Sequence, residues 1–370
     1  MGRYTYLAAR LADGQVLDEL PATMFTFEET LNRPGGWSAT LPLRHPRVTR
    51  SLLAEVTSTV WAVRDGQVLG GGICWSPQAD TSQGTLTVGG EGLWALWRDG
   101  RATVTGRAGM TWAGGTGSEV RFNGVDQFDI VADLIGHAGA AGGRVDLPVV
   151  YHGPAPDGRS GVLRDRSYFT YEASAVGELV ENLAEVIDGF DFTLDVTLVD
   201  SRVRPALHLW YPQVGRQTDV LFEQRRNVEV LTWAADGARY ANTVRAMGAG
   251  EGDDMLLSTA TATSQIAPAG PFPRVETAFS NKDVKIPATL DAQAAARLAT
   301  SSIMPETLTV RVVDTVDSAL GTYRCGDQVT VSCHDGYLDL DGRYQVQGVK
   351  VDIDELGDET ITVTLANRGG

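Results

Sequence analysis

Short apolar or strictly alternating runs, broken by turn residues, make up nearly all of the first hundred positions. Tyr4 to Arg10, Met24 to Phe27 and Trp37 to Leu43 are such runs, divided by Asp-Gly, Pro and Gly-Gly. Thr57 to Val63 alternates toward Asp65-Gly66, and Val68 to Trp75 follows at once. Asp-Gly between two strand-like runs predicts a tight hairpin, because both turn positions call for positive φ. Thr85 to Val88 and the residues Leu93, Trp94, Leu96 and Trp97 read as further strand, ending at Asp99-Gly100. Thr49 to Glu55 is the one helical candidate before residue 110. The pattern predicts a small β-barrel or sandwich.

The period then changes. Phe128, Ile130, Val131, Leu134 and Ile135 share one side of a helix over Asp126 to Ala138, and a Gly/Pro-rich loop runs from Ala138 to Gly161. A second helix is predicted over Ser174 to Ile187, capped by Ser174 and stopped by Asp188-Gly189, with the strand Phe190 to Leu198 behind it. Strands resume at Ala206 to Tyr211, Val220 to Phe222, Val228 to Trp233 and Thr243 to Ala246. An alanine-rich helix is predicted over Asp291 to Ser302, with Asp291 as N-cap and Pro305 beyond its end. Thr307 to Val313, Gln328 to Ser332, Tyr344 to Ile353 and Thr360 to Leu365 read as a second β region. Gly348 falls where the alternation slips, as at a bulge, and Asp354 to Glu359 forms a hairpin loop. No fixed-period repeat is visible.

At 370 residues the chain exceeds what one core comfortably supports, so two to four domains are expected. Its 43% hydrophobic and 21% charged residues are those of a globular protein, and 42 glycines suit many turns between short strands. No apolar stretch is long enough for a membrane helix, and no secretory signal or membrane anchor is read at the N-terminus. Synthesis and folding in a cytoplasm are expected. The net charge of −16 argues against gripping DNA or RNA through counterion release, yet it would suit a wall that DNA slides past.

The search for chemistry finds no HExxH, GxSxG or P-loop. His45, His137, His152, His208 and His334 are scattered, with no pair at helical spacing, and each is read as a surface or satisfied residue. Cys74, Cys325 and Cys333 form no CxxC and read as small buried hydrophobes rather than a disulfide or metal set. Glu251, Asp253 and Asp254 lack EF-hand spacing and read as a solvated loop, as do Asp314, Asp317, Asp352, Asp354 and Glu355. The clusters Gly70-Gly71-Gly72 and Gly114-Gly115-Thr116-Gly117 precede no Lys-Ser/Thr helix start, so they read as turns or bulges. Trp61, Trp75, Trp94 and Trp97 lie in strand-like runs and read as core rather than a sugar platform. No catalytic, cofactor-binding or metal-binding residue is assigned, no cofactor is expected, and the chain is read as no enzyme.

Several framework phrases carry a resemblance. They are LNRPGGWSATLPL (Leu31 to Leu43), VWAVRDGQVLGGGICW (Val60 to Trp75), LVENLAEVIDGFDF (Leu179 to Phe192), YANTVRAMGAG (Tyr240 to Gly250) and YQVQGVKVDIDELGDETITVTL (Tyr344 to Leu365). In number and order they resemble the minor tail proteins of long-tailed actinobacteriophages, members of the tail hub (baseplate hub-like) family. The resemblance implies a mainly β fold with α/β portions, two small antiparallel β-barrels per chain and helix-containing α/β accessory domains. On that basis barrel one is expected over residues 1–110 and an α/β accessory domain over 111–199. Barrel two is then discontinuous, over 200–245 and 306–370, with a second α/β insert over 246–305. The implied role is structural: a homotrimeric ring in the virion tail tip, whose lumen passes DNA without specific binding. Its implied partners are a distal tail protein, a tape measure protein and tail spike, fibre or central tip proteins. Two alternatives stay open at this point, a carbohydrate-binding tail module and a tail-associated cell-wall hydrolase.

Overall fold

A strand near the start of the chain, Met24–Thr30, pairs with one near its end, Leu338–Ile353, so distant parts of the sequence share one sheet. The structure, a computed structural model, describes residues 4–98, 119–140, 145–169, 174–186, 188–313 and 318–367. The chain divides into two units, Met1–Val230 with Val310–Thr364, and Leu231–Thr309 with Leu365–Gly370.

In the first unit, β1 (Tyr4–Arg10), β2 (Val16–Leu20), β3 (Met24–Thr30), β4 (Gly36–Pro42), β5 (Ser58–Arg64), β6 (Gln67–Ile73), β7 (Gln78–Asp80) and β8 (Thr85–Glu91) come first. One antiparallel sheet has the order β2-β1-β5-β6. The β5–β6 hairpin turns at Asp65 (φ 52°) and Gly66 (φ 80°), the left-handed pair that the Asp-Gly dipeptide predicts. The register slips between Ala62 and Val63, so the neighbouring glycine run does accompany a bulge. Those glycines also let β6 press against the second layer. A β-carbon at Gly70 would lie 2.2 Å from the Phe27 ring, and one at Gly72 would lie 2.1 Å from the Glu91 carbonyl. Between the layers the Trp37 indole donates to the Ile73 carbonyl at 3.0 Å. Two sequence readings change here. Thr49 to Glu55 forms successive turns instead of a helix, and Leu93–Leu96 is a single 3-10 turn instead of a strand.

The α/β portion comprises β9 (Glu119–Asp126), α1 (Gln127–Ala140), β10 (Val149–His152), β11 (Leu163–Phe169), α2 (Val176–Ala184), β12 (Asp191–Val199) and β13 (Arg202–Trp210). Strands β9 and β11 form a ribbon; β10, β13 and β12 form a sheet in that order, with β10 parallel to β13. Buried faces of α1 (Phe128, Val131, Leu134) and α2 (Val180, Leu183) join Trp61, Trp94, Leu207 and Leu209 in one apolar core. Helix α2 begins after Ala175, which makes no side-chain cap, so the predicted Ser174 cap is not used.

After β14 (Gln217–Glu223), strand β15 (Val228–Ala235) carries the chain into the second unit. That unit holds β16 (Thr243–Met247), β17 (Leu257–Thr261), β18 (Glu276–Ser280) and α3 (Pro287–Ser301), with the sheet order β17-β16-β18. Its small core joins Ala246 to Leu290 and Ala294 of the helix. Helix α3 starts four residues earlier than expected. Pro287 sits at its first turn, where a missing N–H costs nothing, and Asp291 instead accepts from Ser258 at 2.6 Å.

The chain returns through β19 (Glu306–Val312) to β20 (Gln328–Asp335), β21 (Leu338–Ile353) and β22 (Glu359–Ala366). Strand β21 pairs with β20 up to Gln345 and with β3 from Gly348 onward, and neither register shifts. The slip in alternation at Gly348 therefore marks a change of partner, not a bulge in the β3 pairing. The architecture is mainly β with helix-bearing α/β portions. Among the described strands, pairing leaves each sheet open and barrel closure is not detected.

Candidate functional site

The turn between β3 and β4 gathers a cluster of polar contacts. Asn32 adopts a left-handed conformation (φ 59°), which turns its amide toward β12. There it donates to Asp191 at 2.9 Å and accepts from the Phe192 backbone at 2.7 Å. Arg33 donates to Glu181 and, at 2.7 Å, to Glu185, one turn further along the same face at the C-terminal end of α2. Glu181 is buried, and it also accepts from the Trp94 indole at 3.0 Å and pairs with Arg98 at 3.2 Å. The turn thus clamps the first β layers to α2 and β12.

Beside the clamp lies a cleft of about 550 Å³, lined by Glu28, Glu29 and Arg33, by Leu194 to Leu198 and by Leu320 and Tyr323 to Cys325, with Gly70 and Gly71 among its walls. Glu29 lines this cleft and is exposed to solvent as a residue. Desolvation, reinforced by Asp195 and opposed by Arg324, pushes Glu29 up to about 7. Its carboxyl therefore exchanges a proton near neutrality.

A second cluster sits on the sheet β10-β13-β12. The parallel register sets His152 opposite Trp210, and their rings stack at 3.7 Å between centroids. His152 Nε2 meets His208 Nδ1 at 2.8 Å, one donating to the other, and His208 Nε2 lies 3.9 Å from Asp195. Burial, then the facing His208, lower the His152 pKa against the pull of Asp195. Sequence spacing could not reveal this pair. The two histidines are 56 residues apart and meet only through the parallel β10–β13 pairing.

The other singled-out residues remain apart. Glu251, Asp253 and Asp254 are exposed around a 3-10 turn of the second unit. Asp352 accepts from Thr26 at 2.7 Å, and Asp354 holds its own hairpin by accepting from the Leu356 and Asp358 amides. Asp314, Asp317 and the cluster Gly114 to Gly117 lie outside the described residues, as does Trp112, and the side chain of His137 is not described. His45 accepts from the Arg47 amide, and His334 contacts Asp339 at 2.7 Å. The three cysteines are free and buried. Trp37, Trp61, Trp94 and Trp97 are buried, while Trp75, Trp210 and Trp233 are half-buried. Among the described residues no group of three His, Cys, Asp or Glu side chains could hold a metal ion, and no helix is long and apolar enough to cross a membrane.

No protein-family model and no curated protein matches the sequence. Solved structures do match its fold from end to end. The 43 kDa tail protein of prophage MuSo2 from Shewanella oneidensis aligns at a TM-score of 0.65 and 11% identity, over 98% of both chains. A prophage tail protein from Listeria monocytogenes aligns at 0.58 and 12% identity, over 98% of this chain and 94% of the other. A tail protein from Neisseria meningitidis aligns at 0.56 and 16% identity, over 98% and 97%. An Escherichia coli type VI secretion component, described as structurally similar to T4 bacteriophage tail proteins, aligns at 0.51 and 11% identity, over 97% and 74%. The chain has the fold of phage tail and baseplate hub-like proteins.

Proposed function

We propose that this chain is a non-catalytic structural part of a bacteriophage tail tip, three copies of which form a hub ring. The ring would join the tail tube to receptor-binding or penetration components and give DNA a passage at infection. The observation that carries this reading is the end-to-end likeness to tail proteins, which leaves no large segment over for a separate catalytic or binding module. In this reading the β portions, residues 1–110 and residues 200–245 with 306–370, build the ring, and the α/β portions at 111–199 and 246–305 widen it. The net charge of −16 supports a lumen that repels phosphate and lets DNA slide. Distal tail, tape measure and spike or fibre proteins are the proposed neighbours, and the virion is the proposed location.

The sugar-binding alternative calls for exposed tryptophans. Among the described residues each tryptophan is buried or half-buried, and one face of Trp210 is covered by His152. The test is the mass of the full chain by light scattering, with negative-stain images of the same sample. A three-copy ring with an open centre is expected. A compact monomer at every concentration would overturn the ring, and clearance of cell-wall preparations by that monomer would favour the hydrolase.

A further inference from the structure

The two ends of strand β4 carry opposite charge. At its far end, beyond Pro42, the loop of residues 43–57 presents Arg44, Arg47 and Arg50, all exposed, and none is paired with a carboxylate among the described residues. Arg10, Arg33, Arg64, Arg159 and Arg245, by contrast, each engage an acid. The loop is built rather than loose. Leu43 donates to Gly84, Val48 to the His45 carbonyl and Arg47 to the His45 ring, and buried Leu53 accepts from Cys74. Glu55 is the loop's own acid, which leaves its charge positive.

At the near end of β4, Gly36 pairs with Glu28, and the cleft described above opens there with Glu28, Glu29 and Asp195. Arg33 in that cleft is already turned to Glu181 and Glu185; Arg324 is the cleft's other arginine, Lys350 stands in register with Glu28, and Glu29 carries its full charge only above neutrality. Seven strand residues separate the two surfaces by about 20 Å, so a single copy cannot bring them together. Opposite charges at opposite ends of one element favour a head-to-tail contact between copies, the kind of interface that closes into a ring.

We propose that successive copies of this chain meet through these surfaces, the Arg44/Arg47/Arg50 loop of one against the Glu28/Glu29/Asp195 cleft of the next. This rests on the ring reading only in taking the partner to be another copy. Nucleic acid is the weaker occupant for the loop. Three arginines would neutralise about three phosphates, on a chain whose net charge is −16.

The experiment measures the mass of the full chain against concentration, at low and moderate salt, for four proteins. These are the wild type, R44E/R47E/R50E, E28K/E29K/D195K, and one chain carrying all six changes, each checked for an unchanged circular-dichroism melt. The wild type is expected to assemble more weakly at higher salt. Each triple variant is expected to need roughly tenfold more protein or beyond to assemble, and the six-change chain is expected to recover. If the wild type assembles and both triples assemble equally well, the contact is wrong while the ring stands. If the wild type is monomeric throughout, ring and contact fall together. A six-change chain that stays as impaired as the triples also overturns the contact. So does an Arg triple that keeps its mass but loses retention of duplex DNA.

Discussion

Replacing Glu181 by alanine strikes the clamp at its centre. The Glu181 side chain is 7% exposed, and it serves Trp94, Arg98 and Arg33 at once. The two arginine side chains are 35% and 38% exposed, so they turn to water and most of their Coulombic share is already screened. Trp94 is 1% exposed and has no such escape. Its indole N–H would be left unmade, at a cost of about 1–3 kcal/mol, and the lost side-chain burial adds about 1 kcal/mol. Glu181→Ala should therefore destabilise by about 2–4 kcal/mol. Glu181→Gln keeps an oxygen for Trp94 and most of the packing, and should cost only about 1 kcal/mol. Equilibrium urea unfolding followed by tryptophan fluorescence reads both as shifts in midpoint at constant slope. The reasoning is refuted if the two variants are equally displaced, or if alanine lies within about 0.5 kcal/mol of the wild type.

Three further outcomes are expected. Because Glu29 holds its proton up to about 7, its contribution is fully present below the ordinary carboxyl range and is lost as pH rises toward neutrality. Glu29→Gln should flatten that decline in melts between pH 4.5 and 7.5, and Asp195→Asn should lower the Glu29 titration midpoint in carboxyl NMR. The lowered pKa of His152 works the other way: its contribution is present above the usual histidine value and is lost as pH falls through the folded one. His152→Gln should reduce the loss of melting temperature between pH 7 and 5; an unchanged slope would show that the pair does not set it. Finally, Gly66→Ala meets no neighbour and pays only for positive φ, about 1 kcal/mol, whereas Gly72→Ala drives a β-carbon into the Glu91 carbonyl and should cost clearly more in the same urea assay.

What could be read from the sequence was what local chemistry decides. Asp65-Gly66 dictates its own backbone, and the helical spacing of Phe128, Val131 and Leu134 dictates the buried face of α1. Misreadings arose where a neighbour overrode the local signal. The first turn of α2 is held by the Gly177 amide donating to the Trp97 carbonyl, so Ser174 has no cap to make. Leu93 to Trp97 looks like strand, but it folds as one 3-10 turn because Trp94 and Trp97 both enter the same core. The cleft and the histidine pair were not legible at all. Glu29 and Asp195 meet only through the way β3 and β12 are placed, and His152 and His208 only through a parallel register.

Three of the phrases that carry the family resemblance converge in space. Asn32 and Arg33 from the first, Trp61, Gly70 and Gly71 from the second, and Glu181 with Phe192 from the third all meet around the clamp and its adjoining cleft. The other buried polar groups behave in the same way. Asp126 ties Ser160 and Gly161 to the start of α1; Asp327 accepts from the Arg216 and Arg324 amides; Asn227 holds Glu223 and Leu221; and Asn242 holds Val275 and Pro273. They join loops, strands and helices to one another, Glu181 through side chains and most of the others through backbone amides and carbonyls. Buried hydrogen bonds of that kind resist shear between layers more than they tune reactivity, because breaking one strands a polar group away from water. The most constrained polar residues of the chain thus join its parts to one another.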